Sequence, residues 1–297
     1  MVPMHNTKYT ILSNRGVIEV SGDDRKHFLQ GLISNDIKQV SPTHTIYAAL
    51  LTPQGKYLFD FFVIEINTSI YIDCEQSRAS ALLKKLALYK LRAKIDLVDR
   101  SQDFQIAAVF GKNPHVPFKL QKRTGHAKRI SESIVYIDPR LMQAGVRILS
   151  PKSNIEKLLN ALPISKVNWE DFDAQRISLG LPDGTRDLVP EKSILLESGF
   201  EELNGIDWDK GCYMGQELTA RTKYRGLVKK RLIPVTFKGK APTPGTPITV
   251  GRKKVGEMRS TVGNTGMALI RVDDITSTPL SAAETIIKPQ KPNWVNF

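Results

Sequence analysis

The densest group of chemically active side chains lies at residues 210–217, which read KGCYMGQE. The thiol of Cys212 is two residues from the ammonium of Lys210, and a nearby cation favours the nucleophilic, metal-binding thiolate. Gly211 and Gly215 lack a Cβ, so the backbone at both positions can approach a neighbour or a ligand closely. The spacing fits a binding or catalytic site and, equally well, a tight turn around a buried cysteine.

A second candidate is the carboxylate of Asp60, which interrupts the apolar run YLFDFFV at residues 57–63. A charge inside such a run needs a partner if it is buried. Two interpretations follow: an outward-facing or edge position, or a functional carboxylate at a cleft. The run begins just after Pro53 and Gly55, which favour a turn, so residues 45–52 and 57–66 are predicted to form a hairpin.

The composition is that of a folded protein without a membrane span. The chain has 297 residues, 41% of them hydrophobic, enough for one large domain or for two to three small ones. No apolar stretch is long enough to cross a bilayer, and the first residues do not resemble a secretion signal. Cys74 and Cys212 form no CxxC pair, and the five histidines lack ligand spacing, so we expect no metal site and a reducing compartment.

The charge balance favours anionic ligands. Lys and Arg number 43 against 30 Asp and Glu, which gives a formal net charge of +13 and attracts anions through the long-range potential. A basic loop is formed by Lys119, Lys122, Arg123, Lys128 and Arg129. It has no interleaved aromatic residues, so we do not expect direct binding to nucleic acid.

The elements that position these residues alternate irregularly between strands and helices. Strands are predicted at 17–20, 69–74, 95–98, 104–110, 134–137 and 145–149, and helices at 76–92, 154–162 and 169–179. A further helix is predicted to start after Ser21 and to end at Asn35 and Asp36. The order predicts an α+β sandwich rather than repeated βαβ units. After a boundary near residues 226–230, short strands separated by Pro and Gly predict a small β-barrel.

At residues 210–221 the sequence KGCYMGQELTAR resembles the signature of the YgfZ-type folate-binding proteins. These are bacterial relatives of a mitochondrial iron-sulfur cluster assembly factor, in the superfamily of the glycine-cleavage aminomethyltransferase (T-protein). The resemblance extends to SGDDRKHFLQGLISND, TPQGKYLFD, RISLGLPDGTRDLVPE and RTKYRGLVKKRLIPV. It implies an α+β fold with two mixed α/β lobes around a central cleft, in a folate-binding region at 1–225 split near 50–140. A C-terminal antiparallel β-barrel domain would follow at 226–297.

The resemblance further implies that the chain binds tetrahydrofolate or a one-carbon derivative. Glu217 would accept hydrogen bonds from the adjacent N–H and amino groups of the pterin ring. Arg221, Arg225 or Lys223 would meet the folate carboxylates. Tyr213 would form a wall beside the ring. The expected folate-binding residues are Lys210, Gly211, Tyr213, Gly215, Gln216, Glu217, Arg221 and Arg225.

By the same resemblance, the chain is expected to be an accessory factor for assembly or repair of iron-sulfur clusters in other proteins. Any effect on tRNA modification would be indirect. Cys212 and Asp60 are the expected chemically active residues. The expected partners are folate, iron-sulfur assembly proteins and recipient iron-sulfur enzymes. The expected compartment is the bacterial cytosol, or the mitochondrial matrix in a eukaryote.

Two other functions stay open at this point. The transferase of this superfamily has two adjacent acids where this chain has Phe59 and Asp60, so we do not expect a transferase in the strict sense. An active folate-dependent aminomethyl- or methyltransferase would use Asp60 as its acid. An RNA-associated protein would use the basic excess.

Overall fold

The computed structural model describes residues 7–296, which fold into two compact units. The first unit contains residues 7–50, Phe59–Phe172 and Leu203–Met214. The second contains Leu51–Leu58, Asp173–Glu202 and residues 215–296. The predicted α+β class is confirmed, because mixed sheets and helices precede an all-β C-terminal region.

A five-stranded sheet of the first unit carries Asp60. Its strands in spatial order are β3 (Ile46–Leu51), β4 (Tyr57–Ile66), β5 (Ser69–Glu75), β2 (Arg15–Ser21) and β6 (Asp96–Asp99). The predicted hairpin is confirmed as β3 and β4, with a turn at residues 52–56. β4 is buried along nearly its whole length, which explains its almost continuous apolar sequence.

The second sheet of the same unit has six strands. In spatial order they are β11 (Ser165–Lys166), β1 (Thr7–Ile11), β7 (Phe104–Gly111), β10 (Val146–Pro151), β9 (Ser133–Ile137) and β8 (Ala127–Ile130). All neighbours are antiparallel except β1 and β11. The helix α3 (Lys152–Asn160) buries Ile155 and Leu159 in the core of this sheet, beside Val109 and Ile148.

Two helices of the first unit bear on the candidate site. α2 (Ala79–Lys90) buries Ala79, Leu82 and Leu86. α1 spans Arg25–Gln30, so the prediction that it continues to Asn35 and Asp36 is wrong. The residues after Gln30 form long-range backbone bonds instead. The N–H of Ser34 donates to Ala49 in β3, and the oxygen of Gly31 accepts from Met214.

The second unit is built on a closed antiparallel barrel, which confirms the predicted C-terminal β-barrel. Its strands in order around the barrel are β12 (Lys230–Phe237), β15 (Thr265–Arg271), β14 (Lys253–Val262), β13 (Pro247–Val250), β16 (Leu280–Ala282) and β17 (Thr285–Pro289). The remaining helices are α4 (Trp169–Ser178), whose last residues from Asp173 belong to this unit, α5 (Gly184–Asp187) and α6 (Gln216–Tyr224).

Candidate functional site

The first half of the predicted signature is held against the end of α1. Nζ of Lys210 donates to the main-chain oxygens of Gln30, at 2.5 Å, and Ile33, at 2.9 Å. The side-chain amide of Gln30 donates back to the main-chain oxygen of Lys210, at 3.0 Å. Helix C-termini leave carbonyls unpaired, and a lysine can satisfy them. The ammonium of Lys210 therefore fixes the segment to α1.

Lys210 is enclosed rather than displayed at the surface. Its residue is only 9% exposed, and burial lowers the pKa of its side chain to about 8, although the carboxylates of Asp36 and Asp207 act to raise it. Nζ lies 4.9 Å from the ring centroid of Tyr213, which is also buried. Lys210 and Tyr213 are thus in contact, and this contact packs the segment inward.

Cys212 is exposed between these two buried residues. The segment is anchored again just beyond it: the N–H of Met214 donates to the oxygen of Gly31 at 3.1 Å. The hydroxyl of Tyr89, on α2, contacts Sδ of Met214 at 3.4 Å. The cysteine of the predicted tight turn is therefore not buried. A thiol on a short loop fixed at both ends is accessible to an incoming electrophile or metal centre.

The second half of the signature forms α6, in the second unit. Gly215 has φ +81°, and a Cβ built there would lie 2.5 Å from the main-chain oxygen of Thr52. The backbone of Gly215 therefore packs closely against the β3–β4 turn, as expected for a glycine that approaches a neighbour. Gln216 is the first residue of α6, and Arg225 is its exposed C-cap.

Glu217 and Arg221 are paired on the outer surface of α6. Oε1 of Glu217 lies 3.0 Å from a guanidinium nitrogen of Arg221, one helical turn away. The glutamate side chain is 83% exposed and that of the arginine 47%. Exposed pairs of this kind stabilise a helix by only a few tenths of a kcal/mol. Both groups can exchange this contact for a ligand at little cost.

Asp60 belongs to a buried group in the first unit. It lies in β4 between β3 and β5 and is 5% exposed, so the interpretation as an edge or outward-facing residue is wrong. The hydroxyl of Tyr47 donates to its Oδ2 at 2.8 Å, which supplies a partner for the carboxylate. Burial, and then the charge of Asp60, raise the pKa of Tyr47 well above its usual value.

A buried ion-pair network in the same unit was not predicted from the sequence. Asp73 pairs with Arg15 at 2.6 Å and with Arg147 at 2.7 Å, and its side chain has no exposed surface. Burial acts to raise the pKa of Asp73, but the two guanidinium groups outweigh it and lower that pKa. Arg147 also lies over the ring of Phe62, 4.0 Å from the centroid. The sequence holds one signal for a buried charge at Asp73, the same that identified Asp60: a charged residue within an apolar strand.

A second ion-pair cluster supports the second unit. Arg176, on α4, pairs with Asp173 at 2.6 Å and also with Asp187 of α5. Arg186 contacts Asp173 at 2.7 Å. Asp187 accepts from the hydroxyl of Ser260 in β14, at 2.6 Å. The cluster joins two helices to a barrel strand, which is a bracing role.

A pocket of about 400 Å³ opens in the first unit beside the residues that precede the signature. Its lining includes Asn35, His44, Asn204, Trp208 and the carboxylates of Asp207 and Asp209. The volume suits a small ligand. Two carboxylates in the lining disfavour an anionic one.

Two features are absent from the described part of the chain. Between residues 7 and 296, no group of three or more His, Cys, Asp or Glu side chains is placed to hold a metal ion. No helix in that range is long and apolar enough to cross a membrane.

The fold and the C-terminal region define the class of protein. Residues 229–297 match the family described as CAF17, C-terminal beta-barrel domain. The structure is similar to that of glycine cleavage system aminomethyltransferase T from Bartonella henselae, with a TM-score of 0.78 over 98% of this chain and 86% of that one. Sequence identity is 13%, so this likeness concerns the fold alone. The chain has an aminomethyltransferase-like fold with a CAF17-type barrel.

The sequence comparison narrows the class to a family. The chain is 32% identical to the human iron-sulfur cluster assembly factor IBA57, mitochondrial, over 95% of this chain and 84% of the human protein. It is 31% identical to the mouse protein of the same name, over 89% of this chain and 77% of that one. The chain belongs to the IBA57 family of iron-sulfur cluster assembly factors.

Proposed function

We propose that this protein assists the assembly or repair of iron-sulfur clusters in other proteins through the thiol of Cys212, with a tetrahydrofolate species as its ligand. The observation that carries the proposal is the exposure of Cys212 on an anchored loop. Membership of the IBA57 family supports a role in iron-sulfur cluster assembly. The loop supplies one accessible sulfur ligand or nucleophile, held in a fixed position.

The two cysteines differ in the way this role requires. Cys74 is 2% exposed, and burial raises the pKa of its thiol to about 12, so it stays protonated at neutral pH. Cys212 is exposed. Iron-sulfur clusters are usually held by several thiolates, so one cysteine cannot hold a cluster alone. In this proposal the cluster is cargo, and its remaining ligands come from the protein that delivers or receives it.

The folate part of the proposal rests on α6. The carboxylate of Glu217 is 83% exposed and points from the first turn of the helix, where it can accept two hydrogen bonds from a pterin edge. Arg221 would be released from Glu217 to meet a folate carboxylate, with Arg225 near the end of the same helix. The pocket of the first unit fits folate less well, because of Asp207 and Asp209.

The resemblance to YgfZ-type proteins supports the same folate ligand. In this proposal an effect on tRNA modification is indirect, through modifying enzymes that carry iron-sulfur clusters. The relatives are named as mitochondrial proteins. We therefore assign the chain to the mitochondrial matrix if its source is a eukaryote, and to the cytosol if it is a bacterium.

Calorimetry and complementation test the two parts separately. Tetrahydrofolate is titrated into the purified wild-type protein, Glu217→Gln and the control Glu284→Gln, which changes an exposed glutamate of the barrel region. Glu217→Gln should weaken binding about tenfold or more, since it removes a charge-assisted pair. Unchanged affinity removes Glu217 from the site. Failure of the wild-type protein to restore iron-sulfur enzyme activities in a strain depleted of it contradicts the process itself.

A further inference from the structure

The outer face of α2 exposes large apolar side chains. Leu88 is 70% exposed and Leu91, just after the helix, is 88% exposed. The two are three residues apart, one in the last turn of the helix and the other directly after it. Leu91 also has φ +41°, a conformation that leucine rarely adopts. Backbone strain and an apolar side chain in water coincide here, and such strain persists where it serves a function.

The segment that carries these leucines is strongly cationic, although Asp96, just after it, pairs with Lys90 at 3.6 Å and Asp24 accepts from the N–H of Lys94. Residues 76–95 contain no Asp or Glu. Their six cations are Arg78, Lys84, Lys85, Lys90, Arg92 and Lys94. Lys84, Arg92 and Lys94 are exposed. We call Lys84, Leu88, Leu91, Arg92 and Lys94 the α2 patch. An apolar centre with a positive rim is complementary to an apolar surface with a negative rim.

The helix that carries Lys84 and Leu88 of the α2 patch also contacts the loop that carries the thiol. Tyr89 follows Leu88 on α2, and its hydroxyl contacts Sδ of Met214 at 3.4 Å. Met214 is two residues from the exposed Cys212. A protein seated on the α2 patch would therefore rest on the same helix that contacts the thiol-bearing loop.

We infer that the α2 patch docks an acidic protein, whose exposed apolar residues are rimmed by carboxylates, and that this protein is the one exchanging cluster ligands with Cys212. The inference deepens the proposed function and rests on it for the partner's identity. The charge pattern gives the partner's chemistry. The Tyr89–Met214 contact links the helix that the partner would occupy to the loop that carries the thiol.

An anionic membrane is the competing occupant, because it also attracts basic helices. Interfacial helices insert a broad apolar face that usually includes Trp or Phe. The buried residues of α2, Ala79, Leu82 and Leu86, are already used in the protein core. Leu88 and Leu91 alone provide little area for insertion, so the pattern favours a protein.

A complementation assay tests the inference in a strain depleted of the protein. The variants are Leu88→Asp with Leu91→Asp, and Lys84→Glu with Arg92→Glu. Val116→Asp is the matched control, since Val116 is 58% exposed, in the same unit and outside the patch. Both double variants should reduce iron-sulfur enzyme activities about tenfold, as expected when interface anchors are lost. Their melting temperatures and folate affinities should stay those of the wild type.

Photo-crosslinking identifies the occupant directly. A photoreactive amino acid is placed at position 91, or at 116 as the control, in the full chain in cells. We expect a discrete adduct at position 91 with an acidic iron-sulfur protein, weakened by added salt and by Lys84→Glu with Arg92→Glu.

Three outcomes overturn the inference. The first is full activity of the leucine variants while the wild type rescues, which leaves the proposed function intact. The second is no adduct, or the same adducts at 91 and 116. The third is sedimentation with phosphatidylserine-containing vesicles that depends on Leu88 and Leu91, which assigns the patch to membranes. If the wild type itself does not rescue, the proposed function fails, and crosslinking still decides whether an acidic protein docks.

Discussion

Lys210 and Gln30, 180 residues apart in sequence, exchange hydrogen bonds: each donates from its side chain to the main-chain oxygen of the other, at 2.5 and 3.0 Å. Lys210→Met keeps most of the aliphatic volume but leaves carbonyls at the end of α1 without their donor. We expect it to lower the free energy of unfolding by about 1–3 kcal/mol. Urea unfolding measures this, with the exposed Lys128→Met as control. Equal stability of the two variants contradicts a structural role for the lysine.

The stability contribution of Lys210 should depend on pH. Its folded-state pKa is lowered from 10.5 to about 8, mainly by burial. Between these values the unfolded chain holds a proton that the folded protein has released, so the free energy of unfolding rises with pH. We expect the wild type to gain stability relative to Lys210→Met from pH 8 to pH 10. A constant difference across this range shows that the folded-state pKa is not lowered.

The two signature glycines should differ in their tolerance of alanine. Both have positive φ, at +91° for Gly211 and +81° for Gly215, but a Cβ at Gly211 meets nothing within 4 Å. Gly211→Ala should cost only the conformational strain, about 1–2 kcal/mol. Gly215→Ala adds a contact at 2.5 Å with the oxygen of Thr52 and should cost about 1–3 kcal/mol more. Denaturant unfolding of both variants compares them. A milder effect at Gly215 contradicts the close packing.

The buried network around Asp73 should be the most sensitive to loss of one charge. Asp73→Asn removes the carboxylate that pairs with both Arg15 and Arg147 in the core and should cost about 3–5 kcal/mol. Asp96→Asn is the control, because the Asp96 side chain is 80% exposed and should change stability by less than about 0.5 kcal/mol. Thermal unfolding at pH 7 compares them. Similar melting temperatures would mean that the network is solvated.

Local patterns in the sequence predicted the fold well where the contacts are local. Pro53 and Gly55 mark the turn between β3 and β4, and short strands separated by Pro and Gly mark the barrel. The end of α1 was mispredicted, because the carbonyls of Gln30 and Gly31 accept from Lys210 and Met214, which are far away in the sequence.

The sequence predicted which residues belong to the candidate site, but it did not predict the contacts that these residues make. The sequence identified Cys212 but could not reveal its exposure, which depends on the folded positions of its neighbours. The sequence spacing suggested that the ammonium of Lys210 acts on the thiol of Cys212. In the structure this ammonium donates to the carbonyls of Gln30 and Ile33. Asp73 lies in the apolar strand β5, but its partners Arg15 and Arg147 come from two different sheets, so no local pattern indicates the network.

The central claim is that the exposed thiol of Cys212 supports iron-sulfur enzymes, and the second cysteine provides a matched control. Cys212→Ser and Cys74→Ala are each expressed in a strain depleted of the wild-type protein, at equal protein levels, and the activity of a cluster-containing enzyme is measured. Cys74 is buried with a raised thiol pKa, so Cys74→Ala should restore activity. Cys212→Ser should leave activity near that of the depleted strain. Full restoration by Cys212→Ser contradicts the claim.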